Sequence, residues 1–193
     1  LNLKEMAFIS FLEILYLIIL TFVIGYIFSG YIRKPVTETD IIYGERFFNW
    51  KDIKFATLVA APGVLLHELA HKFAAIAFGL GAQLYIFWEG LGLAVFLKLI
   101  SSPFLIIAPA YVSITGNATE FQSMITSFAG PFMNLLLFLI SYIILNRAKL
   151  TKNQATALFL TKQINLFLFI FNMIPIPPLD GSKVFFNLFR ILF

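Results

Sequence analysis

Apolar residues run through this chain in long, nearly unbroken blocks, and the polar residues gather in short stretches between them. The first block, Met6 to Ile32, is long enough for one helix to cross a hydrocarbon layer of ~30 Å at ~1.5 Å per residue. Glu13 interrupts it, and the pattern places that carboxylate near the interface, facing water. Arg33 to Lys54 reads as a polar loop, with Arg33, Lys34, Arg46, Lys51 and Lys54 set against Glu38, Asp40, Glu45 and Asp52. Lys34-Pro35 ends the first helix.

Phe55 to Phe78 is a second span of unusual composition. Its first half is plainly apolar, whereas its second half carries His67, Glu68, His71 and Lys72. Pro62-Gly63, just upstream, is expected to kink or loosen the helix. Gly79 to Glu89 alternates loosely through Gln83, Tyr85, Phe87 and Trp88, which suggests a short strand. Leu91 to Tyr111 is apolar but broken at Ser101-Ser102-Pro103, and each half is too short to span alone. A re-entrant hairpin surrounded by protein is the preferred reading, and one kinked span the alternative.

Met124 to Leu145 is a further span, followed by Arg147, Lys149 and Lys152 in a short basic loop. Ala155 to Ile174 is another, ended by Pro175, Pro177 and Pro178, and Val184 to Phe193 continues as an amphipathic or half-spanning helix. The expected fold is an all-α polytopic membrane protein of about five to six transmembrane helices. It carries a short membrane-associated strand and re-entrant hairpin region, all in a single domain over 1–193.

Composition agrees. Hydrophobic residues make up 60% of the 193, with 24 Phe, a mean hydropathy of +0.91 and only 12% charged residues. A soluble domain carries about a quarter charged residues. The net charge of +4 comes from scattered basic residues with no aromatic-basic stripe. They suit lipid headgroups at the bilayer surface and not a nucleic-acid partner. The chain has no cysteine, which excludes disulfides and thiolate metal sites, so a bound metal must use His, Asp or Glu. The first apolar block is too long for a signal peptide, and no small-residue cleavage site follows it.

The candidate chemistry lies in His67-Glu68-Leu69-Ala70-His71. Two His residues four apart on a helix share one face, one turn apart, and can bind one zinc at ~2.0–2.1 Å each. Glu68 leans toward the same metal and can take a proton from water there, the physical content of an HExxH motif. A chance HExxH is the competing reading. It must explain three ionisable groups inside an apolar span, where each costs a few kcal/mol unless paired or metal-bound.

A catalytic zinc takes three protein ligands and an open position. These are the chain's only two His residues, so the third ligand must be a carboxylate: Glu13, Glu89, Glu120 or Asp180. Asp180 stands out, in Asn172-Met173-Ile174-Pro175-Ile176-Pro177-Pro178-Leu179-Asp180-Gly181. The prolines end a helix there, and Gly181 allows a close approach or an unusual turn. A plain interfacial turn is the alternative use of Pro-Leu-Asp-Gly.

With these motifs together the chain resembles the site-2 protease family of intramembrane zinc metalloproteases. His67-Glu68-Leu69-Ala70-His71 is followed about a hundred residues later by Asn172, Pro175, Leu179, Asp180 and Gly181, matching the family's Asn-x-x-Pro…Leu-Asp-Gly pattern. Gly130-Pro131-Phe132-Met133-Asn134 matches its Gly-Pro-x-x-Asn segment. The match covers about residues 55–187, leaves 6–32 as a peripheral first helix, and is similar to the compact archaeal-type branch without PDZ or CBS domains.

The resemblance implies one Zn2+ per chain on His67, His71 and Asp180, with Glu68 as general base. It implies that Asn172 holds the scissile carbonyl or its oxyanion, against a plain helix–helix hydrogen bond as the other reading. Asn134 is expected to pack structurally beside the catalytic helix. The expected partners are the lipid bilayer and single-span membrane proteins as substrates, and the expected location is a multi-pass position in the cell membrane. A substrate helix must unwind to expose its carbonyls, and the Leu84–Trp88 stretch could receive it by edge pairing.

Two points cut across this reading. If residues 91–111 are re-entrant, the loops at 33–54 and 146–152 share one side, which the positive-inside rule puts in the cytoplasm. The family cleaves near the cytosolic face, whereas these loop charges point weakly the other way. The rival function is a structural zinc site or a zinc transporter. A closed site would need a fourth protein ligand, and a transporter ionisable residues along several spans; neither pattern is present.

Overall fold

The computed structural model describes residues 8–32, 49–102 and 109–193. Its elements run in the order α1 (Phe11–Phe28), α2 (Trp50–Ala77), β1 (Gly81–Ile86), α3 (Trp88–Leu99), β2 (Ala110–Thr115), α4 (Glu120–Arg147), α5 (Lys152–Asn172) and α6 (Asp180–Leu192). Among the described residues, α1, α2, α4 and α5 are the four helices long and apolar enough to cross a membrane. Five to six spans are expected; among the described residues four helices are long enough, and α3 and α6 are too short to cross alone.

The helix ends follow from capping chemistry. Ser10 and Glu13 close a capping box on α1, Thr119 and Gln122 on α4, and Thr151 and Gln154 on α5. Each box satisfies two backbone N–H groups that the first turn leaves open. Asn49 caps α2 through the Lys51 amide, with Asp52 in the first turn. The second helix therefore starts at Trp50 and not at Phe55, because residues that look like polar loop serve as its cap and first turn. It also runs unbroken through Pro62. Most of the expected polar loop, residues 33–48, lies outside the described residues.

α2 is the central helix. α1 runs antiparallel to it, with Glu13 reaching Lys72 and Gly25 facing Thr57 and Ile53. A Cβ on Gly25 would lie 1.8 Å from Thr57 Oγ1, so only glycine allows this approach. Leu20, Ile24 and Ile27 of α1 are fully buried with Ala56, Val59 and Ala60 of α2. The helix expected to be peripheral is therefore part of the core. α4 lies antiparallel to α2 on another side, and α5 runs parallel to it, with Thr161 Oγ1 donating to Val59 O and Asn165 against Gly63. The outer faces of α4 and α5 carry exposed Ile140, Ile143, Phe167 and Ile170, the surface that a helix offers to lipid.

The stretch between the second and third long helices differs from the expected hairpin. The strand at Gly81–Ile86 is present, and Leu91 belongs to the short helix α3. The chain then returns as β2, antiparallel to β1 with Leu84 opposite Val112 and Gly81 opposite Thr115. Residues 103–108, part of the expected second arm, lie outside the described residues. Lys98 of α3 donates to Tyr26 O and to Ser29 Oγ at the C-terminal end of α1, where a cation offsets the helix dipole.

Glu13 corrects a second expectation. The residue is 2% exposed and does not face water. Oε1 accepts from Lys72 Nζ at 2.5 Å and from the Leu84 amide at 2.8 Å, and Lys72 Nζ also donates to Ala82 O at 3.0 Å.

Candidate metal centre and its relatives

α2 presents Gly63, His67 and His71 at successive four-residue steps, and α4 presents Asn134, Gly130 and Thr126 at the same steps in the opposite direction. The two stripes zip together. Asn134 Nδ2 donates to Gly63 O at 3.0 Å, His67 Nδ1 lies 2.7 Å from Asn134 Oδ1, and His71 Nδ1 lies 2.7 Å from Thr126 O. Small residues opposite the His pair let the helix backbones close on it.

These bonds fix both imidazole tautomers. Asn134 Nδ2 donates to Gly63 O and to Asn165 Oδ1, so its Oδ1 is the acceptor facing His67. The Thr126 carbonyl can only accept. Both Nδ1 atoms therefore carry the hydrogen, and both Nε2 lone pairs point away from α4's polar groups into a common space.

Asp180 meets them there. Its Oδ2 is 3.2 Å from His67 Nε2 and 3.3 Å from His71 Nε2, and the two Nε2 atoms are 3.1 Å apart. With neutral imidazoles, three acceptors face one another with no hydrogen between them, an arrangement that calls for a cation. Donors ~2.05 Å from one tetrahedral zinc lie about 3.3 Å apart, so the observed triangle fits that ion. Gly130 supplies the room. A Cβ there would sit 2.3 Å from His71 Nε2 and 2.8 Å from His67 Cε1, in the volume the ion needs. Among the described residues, His67, His71 and Asp180 form the one three-residue His/Asp/Glu group close enough to hold a metal.

Asp180 is the first residue of α6, yet its carboxylate does not cap that helix, whose N-cap Leu179 makes no side-chain bond. The turn is held by backbone proximity. A Cβ on Gly181 would lie 2.4 Å from the carbonyl carbon and oxygen of Met173 and 2.7 Å from Ile174 O. This is the close approach expected from Leu-Asp-Gly, and the plain-turn reading of the segment does not account for where Asp180 points. The other carboxylate candidates are engaged or placed elsewhere: Glu13 with Lys72, Glu120 with Arg190 at 2.8 Å, and Glu89 exposed in the first turn of α3.

Glu68 follows His67 on α2, half-buried, and its charge acts on His67, His71 and Asp180. Asn172 is the last residue of α5, and its amide donates to Leu168 O one turn back in its own helix. It makes neither the helix–helix bond nor a bond to the His-His-Asp group. Asn134 packs beside α2 and also orients His67. The sequence reading missed Asn165, Gly63 and Thr126. Asn165 is fully buried, bonds Asn134, and anchors its own Nδ2 on Thr161 O. A buried Asn in an apolar helix was the available signal. Thr126 Oγ1 is buried with no hydrogen-bond partner among the described residues.

The peptidase family M50 model, that of the site-2 proteases, matches residues 144–193, the segment holding α5, the Asn172–Gly181 motif and α6. "Putative zinc metalloprotease MJ0611" of Methanocaldococcus jannaschii is 32% identical over 127 residues, 66% of each chain. Over these stretches the chain is similar to peptidase family M50. "Putative zinc metalloprotease YwhC" of Bacillus subtilis is 36% identical over 70 residues, 32% of each chain. The matched stretches thus span just under two thirds of one relative and about a third of the other. No solved structure matches the chain. The similarity to family M50 and the four long apolar helices among the described residues support a multi-pass integral membrane protein.

Proposed function

We propose that this chain is a zinc-dependent intramembrane endopeptidase that hydrolyses peptide bonds of single-span transmembrane substrates, with one zinc per chain and the cell membrane as its site. The observation that carries this reading is the convergence of three candidate ligand atoms, His67 Nε2 and His71 Nε2 from the 28-residue helix α2 and Asp180 Oδ2 from the start of α6. The names of the two relatives support zinc and proteolysis as the chemistry.

Zinc, when bound, supplies Lewis acidity that polarises a carbonyl and acidifies water. Glu68 then takes the proton from water as it attacks the scissile carbonyl carbon. It returns that proton to the amide nitrogen as the C–N bond breaks, leaving a carboxylate and an amine. Asn134 and the Thr126 carbonyl hold the two imidazoles in the required tautomer throughout, and Asn165 holds Asn134. Asn172 is assigned to the scissile carbonyl oxygen. Its amide, bonded to Leu168 O, must leave that partner to reach substrate.

Substrate enters as an extended strand, because a helical peptide hides its carbonyls. β1 is closed to it at Ala82 O and Leu84 N, which Lys72 and Glu13 occupy. The receiving edge in this reading is therefore β2, the other side of the ribbon.

The test is cleavage of a fluorogenic single-span substrate by detergent-purified protein, with zinc quantified in the same sample. Glu68→Gln is expected to retain stoichiometric zinc and lose cleavage. Full activity in that variant, or zinc bound with no cleavage of any of several substrates by the wild type, would refute the assignment.

A further inference from the structure

The buried pair of Glu13 and Lys72 joins α1, β1 and the metal-bearing helix α2. Lys72 is 1% exposed and directly follows His71 on α2, and Glu13 opens α1. Neither is in the His-His-Asp group, and Glu13 lies well outside the residues that the family model matches.

Stability alone is a poor reason for such a pair. A buried ion pair gives little net stabilisation over apolar residues of like volume, because desolvation of two charges offsets their attraction. What this pair does specify is position. Lys72 takes the carbonyl of Ala82 and Glu13 the amide of Leu84. Those two groups lie two residues apart and point to the same edge of β1, away from β2. A slip of one residue would turn them inward to the ladder and present the wrong groups outward. The anion and the cation thus read both the direction and the register of β1. They fix it against the turn of α2 that bears His71. Ser10 N, which donates to Glu13 Oε2 at 2.7 Å, locks the carboxylate to the start of α1.

We infer that Glu13 and Lys72 are positioning residues that hold the β1–β2 ribbon in one register against the metal-bearing turn of α2, and thereby set which substrate bond reaches the metal centre. The inference rests on the protease reading above, in which the ribbon aligns the unwound substrate. A strand advances ~3.3 Å per residue, whereas a misplacement of ~1 Å at a reacting centre can cost about a hundredfold in rate. A ribbon free to shift would therefore slow cleavage and move it to neighbouring bonds.

The experiment compares cleavage rate and cleavage position, the latter by mass spectrometry of the products, in wild type and in Glu13→Leu/Lys72→Met at equal zinc loading. This double variant removes both charges while keeping the packing volume. It is expected to bind zinc, to lose about tenfold or more in kcat/KM mainly through kcat, and to cut at several adjacent bonds where wild type cuts at one. A role in stability alone would lower the melting temperature and leave the cleavage position unchanged. A single unchanged bond cut within about twofold of the wild-type rate overturns the inference. If the double variant does not fold, Glu13→Gln, which keeps the shape and loses the charge, carries the same readout: secondary products support the inference, and one bond at full rate overturns it. Wild type that binds zinc but cleaves nothing refutes the protease reading itself, and this inference with it.

Discussion

Replacing Gly130 by alanine separates the stability of the helix bundle from the integrity of its metal centre. In an ordinary exposed helix the change would gain ~1 kcal/mol, since alanine is the better helix former. Here the new methyl would lie 2.3 Å from His71 Nε2, 2.7 Å from His71 Cε1 and 2.8 Å from His67 Cε1. An ordinary contact begins at 3.4 Å, so His71 Nε2 must retreat by about 1 Å, several times the ~0.2 Å that a metal–ligand distance tolerates. The rings cannot swing freely, because their Nδ1 atoms are bonded to Asn134 and Thr126. Loss of a supporting hydrogen bond typically costs 10–100-fold in metal affinity, and displacement of the ligands themselves should exceed about 100-fold. The assay is zinc content by mass spectrometry after dialysis against a weak chelator, with thermal unfolding of the zinc-free protein in parallel. Gly130→Ala is expected to lose zinc and cleavage while the apo protein melts no lower than wild type. Gly92→Ala, in α3 with nothing within 4 Å of its added methyl, is the control that should keep both. Stoichiometric zinc in Gly130→Ala after dialysis would refute the placement of the ion between α2 and α4.

Three further outcomes are expected. Asn134→Ala removes the acceptor that sets the His67 tautomer and should weaken zinc binding 10–100-fold, with a matching fall in activity at limiting zinc; a titration with a competing zinc indicator checks this. Gly181→Ala drives a methyl to 2.4 Å from the Met173 backbone, which cannot move aside as a side chain can. It should cost roughly 1–3 kcal/mol of stability and displace Asp180, so that melting temperature and zinc fall together, in contrast to Gly130→Ala. Removing zinc from wild type with a strong chelator should abolish cleavage and lower the melting temperature, since an ion at 100 times its Kd stabilises the folded state by about 2.7 kcal/mol; return of both on adding zinc checks reversibility.

The parts of this molecule that were legible in the sequence were those where one residue type admits few physical uses. Two His and a Glu inside an apolar helix, and an Asp-Gly after three prolines, left little besides a metal centre, and His67, His71 and Asp180 do converge. The long spans were legible for the same reason, because 18 or more apolar residues have few other uses. Glu13 was misread because its neighbours in sequence are apolar and its partners, Lys72 and Leu84, are about sixty to seventy residues away. Pairing at that separation leaves no local periodicity. The short helix and strand within residues 91–111 were not legible because a half-length apolar run fits a short helix, a strand or a re-entrant arm equally well, and β2 was decided by its partner β1. Asn165 was passed over because its significance depends on Asn134, on a different helix.

The metal-binding pair does not sit at the middle of α2. The helix runs from Trp50 to Ala77, and the midpoint between His67 and His71 lies past its centre toward the C-terminal end, by about 8 Å at ~1.5 Å per residue. A hydrocarbon layer of ~30 Å centred on the helix would leave the ion roughly 7 Å below one surface. Under the proposed protease function the protein would act as a depth gauge, severing a membrane anchor near one end and leaving a short stub on one side and most of the anchor attached to the other. Lengthening a substrate's apolar segment at its far end should leave the cut where it is, while lengthening it at the near end should shift the cut by the number of residues added.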